Sequence, residues 1–130
     1  MHILELIISA ALMTLIWIIQ ILHYPSFKFI DKNSFSDFET FHTNRISWIV
    51  IPLMLTEVIL LILNFRWLVF LILMLIWLST FFLQVPCHNQ LKSGQDHTVI
   101  ERLISTNWIR TILWTLKFIF LVSTKQWPTG

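Results

Sequence analysis

Polar side chains suited to catalysis or ligand binding occur in pairs within or beside the long apolar runs of this chain. The pairs are Gln20 with His23, His42 with Arg45, Gln84 with His88, and Asn107 with Arg110. Residues three or four apart project from the same face of a helix. Imidazoles suit proton transfer and metal binding, and guanidinium groups bind anions. The pairs therefore predict one polar site built from several helices.

The elements that must position these pairs are long apolar helices. The chain has 130 residues, of which 56% are hydrophobic and 12% charged, which is typical of a membrane protein. About 20 apolar residues cross the hydrocarbon core of a bilayer. The apolar runs predict four spans at 3–22, 46–63, 67–84 and 99–122. The short connections between them predict one all-α domain, an integral-membrane up-down four-helix bundle.

Charge and cysteine content exclude other classes. The net charge of +2 is small and dispersed, which argues against nucleic acid as a partner. The single cysteine, Cys87, excludes an intramolecular disulfide and a CxxC redox pair. The first apolar run has no basic segment before it and no small-residue cleavage site, so we expect a retained helix.

An up-down arrangement places the four pairs at one end of the bundle. Loops 24–34 and 87–97 then lie on one side of the membrane, named side B here, and the 64–66 turn and both termini lie on the other, side A. All four pairs fall toward side B. Basic residues are Lys28, Lys32, Lys92 and Arg102 at side B, against Arg66 and Lys125 at side A. The positive-inside rule then favours side B in the cytoplasm.

Three histidines from three helices suggest a metal site. His23, His42 and His88 all fall at side B. Imidazoles bind copper, iron and zinc, and three ligands with an open position are typical of a catalytic centre. A haem held by two axial histidines is the alternative cofactor. The simpler interpretation, in which these histidines contact lipid headgroups or cap helix ends, stays open.

The other polar and aromatic residues predict the rest of the site. We expect His42, Arg45, Asn107 and Arg110 to be catalytic, and Gln20, Gln84, Trp48 and Trp114 to bind the cofactor or substrate. An apolar pocket lined by Trp17, Trp48, Trp77 and Trp114 would admit a flat lipophilic molecule from the bilayer. The two arginines have another interpretation, in which they reach out to the side-B headgroups.

Glu57 lies too far from the side-B pairs to join them. It is 15 residues beyond His42, which is about 22 Å along a helix. Lys117 and Glu5 fall toward the same side A. We expect a Glu57–Lys117 ion pair, with or without Glu5, in a structural role.

Four short motifs point to a family. They are Q-x-x-H-Y-P at 20–25, F-x-x-F-H-x-x-R-I at 38–46, Q-V-P-x-H-x-x-L at 84–91 and N-W-I-R-T-x-x-W at 107–114. Together they resemble a group of small bacterial four-helix membrane proteins, similar to the broad anthrone-oxygenase-like family. The resemblance implies a protein of the bacterial inner membrane that oxidises a lipophilic aromatic or quinone-like molecule. By motif position it implies a functional set of His23, His42, Arg45, Gln84, His88, Asn107, Trp108, Arg110 and Trp114.

Three different functions agree with these features of the sequence. The first is an integral-membrane oxidoreductase, either with a metal or with a histidine acting as general base on an acidic phenolic substrate. The second is a protein that binds and transfers haem, a metal ion or a membrane lipid. The third is a structural subunit of a membrane complex, and a homo-oligomer is an open alternative in each case.

Overall fold

The computed structural model describes residues 1–124, and within them every long element is a helix. We number the helices α1 (His2–Phe29), α2 (Phe35–Leu63), α3 (Trp67–Leu91) and α4 (His97–Ser123). The tail at 125–130, which includes Lys125 and for which the sequence predicts an exit from the membrane, lies outside the described residues.

Three of the four helices, α1, α2 and α3, are long and apolar enough to cross a membrane. α4 has the length but is not among them, and it carries the charged residues Glu101, Arg102, Arg110 and Lys117. The all-helical prediction is therefore confirmed, and three of the four predicted spans agree with helices of suitable length and composition.

The sequence predicts that α1 and α3 end at Pro25 and Pro86, but both helices continue past these prolines. α1 widens into a π-helical turn at Ile19–His23 just before Pro25, and α3 widens in the same way at Thr80–Gln84 just before Pro86. A proline ring normally clashes with the carbonyl four residues earlier. The extra residue of a π turn changes that register, so the helix continues. The turn expected at Tyr24 is consequently helical, and the first loop begins only after Phe29.

Each helix points one face toward the other helices, and these inward faces include buried polar side chains. α1 packs along α2 and α4, and α4 also packs along α3. The helical period of the sequence predicts an inward stripe on α4, and six of its seven residues are buried, with Phe118 partly buried. The six are Ile100, Leu103, Asn107, Arg110, Thr111 and Trp114. The same period predicts a stripe on α2 that is buried at Phe35, His42 and Glu57 but exposed at Arg45 and Ile49.

At the end of the helices that holds the α2–α3 connection, two ion pairs join them. The predicted Glu57–Lys117 pair forms in the interior, and Trp114 Nε1 donates to Glu57 Oε2 at 3.1 Å. Glu5 does not join them but pairs with Arg66, at 2.7 Å from its Nη2. Buried opposite charges need one another because each alone is strongly destabilised away from water. These contacts support the structural role expected for Glu57.

Candidate functional site

Tyr24 is the centre of a polar cluster to which all four helices contribute. Its hydroxyl oxygen lies 3.1 Å from Nε2 of His88 on α3 and 3.2 Å from Nη2 of Arg110 on α4. Nδ1 of His88 in turn contacts Oε1 of Glu39 on α2. Tyr24 follows the π turn of α1, so the widened turn sets the direction of its ring. The result is a hydrogen-bonded chain that runs Glu39, His88, Tyr24, Arg110.

The direction of each hydrogen bond in this chain follows from chemistry. Arg110 has only donors, so the Tyr24 oxygen accepts from it. With His88 as a neutral imidazole, the Tyr24 hydroxyl donates to Nε2 of His88, and the ring hydrogen lies on Nδ1. That hydrogen is donated to the carboxylate of Glu39. Every member therefore has a fixed role, with a cation at one end and an anion at the other.

A network of amides holds Arg110 in place. Nε and Nη2 of Arg110 donate to Oδ1 of Asn107 at 2.9 and 2.6 Å. The Asn107 amide donates to Oε1 of Gln20 at 2.9 Å, and the Thr111 hydroxyl donates to the same oxygen at 3.1 Å. Gln20 donates onward to the carbonyl of Ile104 at 3.0 Å. The predicted residues Gln20, Asn107 and Arg110 are thus brought together, and the amides fix the guanidinium.

Gln84 supports the same cluster from the π turn of α3. Its Oε1 accepts from the Ser79 hydroxyl at 2.9 Å, and its Nε2 donates to Oγ1 of Thr106 at 3.1 Å. Nη1 of Arg110 lies 3.4 Å from Oγ1 of Thr80 in that turn. Gln84 therefore couples α3 to α4 at the level of Arg110.

The second histidine contact joins α1 to α2. Nε2 of His23 lies 2.7 Å from Nδ1 of His42, so one ring donates and the other accepts. The His42 and His88 rings are also close, with centroids 5.5 Å apart. Nε2 of His42 and Oε2 of Glu39 are buried without a hydrogen-bond partner among residues 1–124. The three predicted histidines thus converge, as the sequence indicated, with Glu39 among them.

A large apolar cavity borders the hydrogen-bonded chain of Glu39, His88, Tyr24 and Arg110. Its volume is about 510 Å³, which is within the range of small-molecule sites. On α2 it extends from Thr43 to Leu55, twelve residues or about 18 Å of helix. Tyr24, His88 and Arg110 all contribute to its wall, and most of the remaining lining is aliphatic or aromatic. A molecule bound here would have an apolar body and a polar group facing the chain.

Several predicted site residues lie elsewhere. Arg45 is exposed, and its guanidinium carbon lies 5.3 Å from the ring centroid of Phe41. Trp48 is 81% exposed and lies outside the cavity. Trp17 is part-exposed and donates to Oγ1 of Thr115, and Trp108 packs edge-on against it. Of the tryptophans expected to line a pocket, Trp77 and Trp114 do so.

The misplacement of Arg45 and Trp48 has a physical cause. A helix that faces lipid is apolar on its outer surface as well as its inner one, so the pattern of apolar residues does not fix its rotation. The inward side of α2 passes through Glu39, His42 and Ile46, about 100° from Arg45 on the helical wheel.

Most of the nitrogens of the three histidine rings are engaged in hydrogen bonds. Both nitrogens of His88 are engaged by Tyr24 and Glu39, and His23 and His42 are bonded to each other. Within residues 1–124, no group of three or more His, Cys, Asp or Glu side chains is arranged to hold a metal ion. A three-histidine site for copper, iron or zinc would require these rings to exchange their hydrogen bonds for metal bonds. The metal site and the haem alternative stay predictions.

Two residues of the hydrogen-bonded chain, Tyr24 and Glu39, were not predicted from the sequence. Tyr24 is the only tyrosine of the protein and stands within the motif at 20–25, but its position before Pro25 suggested a turn. By sequence alone, Glu39 is assigned to the first turn of α2, where a carboxylate stabilises the start of a helix, although it precedes His42 by three positions on one face. That spacing was the signal that could have placed Glu39 in the site.

Comparison of the chain with protein-family models, with curated proteins and with solved structures finds no match. The resemblance to the anthrone-oxygenase-like family therefore rests on the four short motifs alone.

Proposed function

We propose that this protein is an integral-membrane oxidoreductase that acts on a small lipophilic aromatic or quinone-like molecule. The molecule binds in the cavity, and the chain of Glu39, His88 and Tyr24 moves its proton. Arg110 stabilises the anion that is left. This proton route uses no metal, because His88 is held by hydrogen bonds between Tyr24 and Glu39.

The observation that carries this proposal is the burial of Arg110 without a carboxylate partner among the described residues. Its side chain is buried, with 6% exposure, and it faces the cavity. Among the described residues no carboxylate lies within ion-pair distance of it, and its partners are the neutral Asn107, Tyr24 and Thr80. A buried cation is costly without a counter-charge. A phenolate or enolate in the cavity would supply that charge.

The chain gives a route for the proton. A phenol of the bound molecule passes its proton to the Tyr24 oxygen while the Tyr24 proton moves to Nε2 of His88. The resulting imidazolium is stabilised by the carboxylate of Glu39, and the substrate anion by Arg110. With dioxygen as the electron acceptor, a hydroquinone then loses two electrons and two protons in all, and gives a quinone and hydrogen peroxide.

We further propose that α1 to α4 form an up-down bundle across the bacterial inner membrane. The polar cluster joins the C-terminal half of α1 and α3 to the N-terminal half of α2 and α4, as alternating helix directions require. The Glu57–Lys117 and Glu5–Arg66 pairs join the opposite halves. The surplus of Lys and Arg favours a cytoplasmic location for the end that carries the polar cluster.

The test is oxygen consumption by the protein in lipid nanodiscs with naphthohydroquinone or anthrone as substrate. We expect a rate above that of empty nanodiscs, lost in His88→Gln and kept in His97→Gln. His97 is an exposed histidine at the start of α4 and serves as the matched control. Binding of the aromatic molecule without oxygen consumption would instead indicate a binding or transfer protein.

A further inference from the structure

The wall of the cavity is incomplete where α2 faces α3. Four apolar side chains line the cavity and are also exposed on the outer surface. They are Ile51 (52% exposed) and Leu55 (48%) on α2, and Phe81 (55%) and Val85 (39%) on α3. A side chain that lines a cavity and also reaches the surface lies at the edge of an opening. These four residues therefore define a gap between the two helices, named the lateral opening here.

The packing of the helices explains the gap. α4 packs extensively along both α1 and α3, whereas α2 makes few close contacts with either of its neighbours, α3 included, although a short connection joins α2 to α3. On the opposite wall, Leu12, Ile16 and Trp114 line the cavity with 1–2% exposure. The bundle is thus closed at the α1 and α4 sides and open between α2 and α3.

We propose that the lateral opening admits the head group of a membrane-resident amphiphile, a phenol or quinone with a long hydrocarbon tail. The ring enters the cavity and reaches Tyr24, His88 and Arg110, while the tail stays between α2 and α3 and continues into the bilayer. This inference rests on the proposed function and names the substrate class of the same site.

The chemistry of the opening favours a tail over water as its occupant. All four edge residues are apolar, so contact with water would be unfavourable and contact with hydrocarbon is not. Ile51 and Phe81 lie inside the predicted spans 46–63 and 67–84, at the depth of the acyl chains. Tyr24, His88 and Arg110 lie at the polar end of the cavity. From the lateral opening inward, the lining of the cavity therefore changes from apolar to polar. A phenol or quinone with a hydrocarbon tail changes in the same order, from its tail to its ring.

A water route is the competing entrance. The cavity also reaches Thr43, Asn89 and Lys92 toward the α2 N-terminus and the α3 C-terminus, and these residues are polar. A ligand without a tail would be able to enter there from the aqueous side. The two entrances make different predictions for ligands that share a ring and differ only in the tail.

The experiment compares menadione with phylloquinone, which has the same naphthoquinone ring and an isoprenoid tail. Both quench tryptophan, and Trp77 and Trp114 line the cavity. The protein in nanodiscs is mixed with vesicles that carry either quinone, and the rate of quenching is followed. Leu55→Phe/Val85→Phe narrows the opening. Ile59→Phe/Leu78→Phe adds the same bulk at exposed positions outside the cavity and is the matched control.

We expect Leu55→Phe/Val85→Phe to slow quenching by phylloquinone about tenfold or more and to leave menadione nearly unchanged, because only the tailed ligand needs the opening. The control variant should behave as the wild type. Equal slowing of both quinones, or quenching of the wild type by menadione alone, would overturn the proposal. If neither quinone quenches the wild type, the proposed function itself fails.

A second measurement does not depend on the folding of a variant. A quinone that carries a photoreactive diazirine on its tail is crosslinked to the wild-type protein. Adducts at Ile51, Leu55, Phe81 or Val85 are the expected result. Adducts confined to α1 and α4, or to the polar entrance at Asn89 and Lys92, would contradict a tail that leaves between α2 and α3.

Discussion

The hydroxyl of Tyr24 joins His88 to Arg110, at 3.1 Å from Nε2 of the histidine and 3.2 Å from Nη2 of the arginine. One phenol therefore links the acid–base pair of His88 on α3 and Glu39 on α2 to a buried cation on α4. Because the same hydroxyl borders the apolar cavity, a bound molecule meets both functions at one point.

Removal of that hydroxyl tests the proton route. Tyr24→Phe keeps the ring and its packing but breaks the chain between His88 and Arg110. We expect hydroquinone oxidation to fall about 10²-fold, in line with the loss of a positioned acid–base group, with binding of the quinone product retained. The measurement is oxygen consumption beside quinone binding. Trp48→Phe, at an exposed aromatic position, is the control, and a wild-type rate in Tyr24→Phe would remove Tyr24 from the mechanism.

Arg110 should select anionic ligands. Arg110→Gln keeps hydrogen-bonding capacity but removes the charge, and Arg45→Gln makes the same change at an exposed position. Hydrogen bonds to charged groups contribute about 1.5–3 kcal/mol, so we expect the affinity for naphthoate to fall roughly tenfold or more. Affinity for the neutral naphthamide should change little. Equal losses for both ligands would indicate general damage to the cavity, and circular dichroism would report it.

The Glu57–Lys117 pair should matter for stability rather than turnover. Lys117→Met alone leaves a buried carboxylate without its partner, which costs about 3–5 kcal/mol of unfolding free energy. The double variant Glu57→Leu/Lys117→Met removes both charges and should recover most of that loss. Denaturation in detergent measures it, with Glu101→Leu, which breaks the exposed pair with Lys28, as the control. Single and double variants of equal stability would contradict a coupled pair.

The π turn of α3 should set the direction of His88. Deletion of Phe82, which is 72% exposed, removes one residue from Thr80–Gln84 without emptying the core. Each residue of a helix turns the chain by about 100°, so the deletion would rotate His88 away from Tyr24 or shift α3 against its neighbours. We expect normal helix content and lost turnover. Phe82→Ala controls for the side chain, and turnover after the deletion would refute the role of the turn.

Removal of metal ions distinguishes a metal-dependent oxidoreductase from one that uses only acid–base residues. Because the nitrogens of His88 are bound to Tyr24 and Glu39, we expect turnover to survive extensive treatment with chelators. Elemental analysis of the purified protein measures what is retained. Near-stoichiometric copper, iron or zinc that is lost in the alanine variants of His23, His42 and His88 would instead establish the three-histidine centre.

The helical class and many of the site residues follow from the amino-acid sequence alone. Runs of about 20 apolar residues determine long helices whatever their neighbours are. Polar residues within such runs are costly unless they meet, which is why the convergence of His23, His42 and His88 and the pairing of Glu57 with Lys117 were predictable. The face of α4 through Asn107 and Arg110 was predictable too, because its outer side carries enough polar residues to set its rotation.

The rotation of α2 and the residues that complete the hydrogen-bonded chain depend on tertiary packing. The outer surface of α2 is as apolar as its inner one, so the sequence pattern left its rotation open and favoured Arg45 and Trp48 over Glu39. Tyr24 joined the site only because a π turn carried α1 past Pro25. The cavity depends on how far α2 and α3 stand apart. Such a distance is set by the packing of whole helices and has no local signature in the sequence.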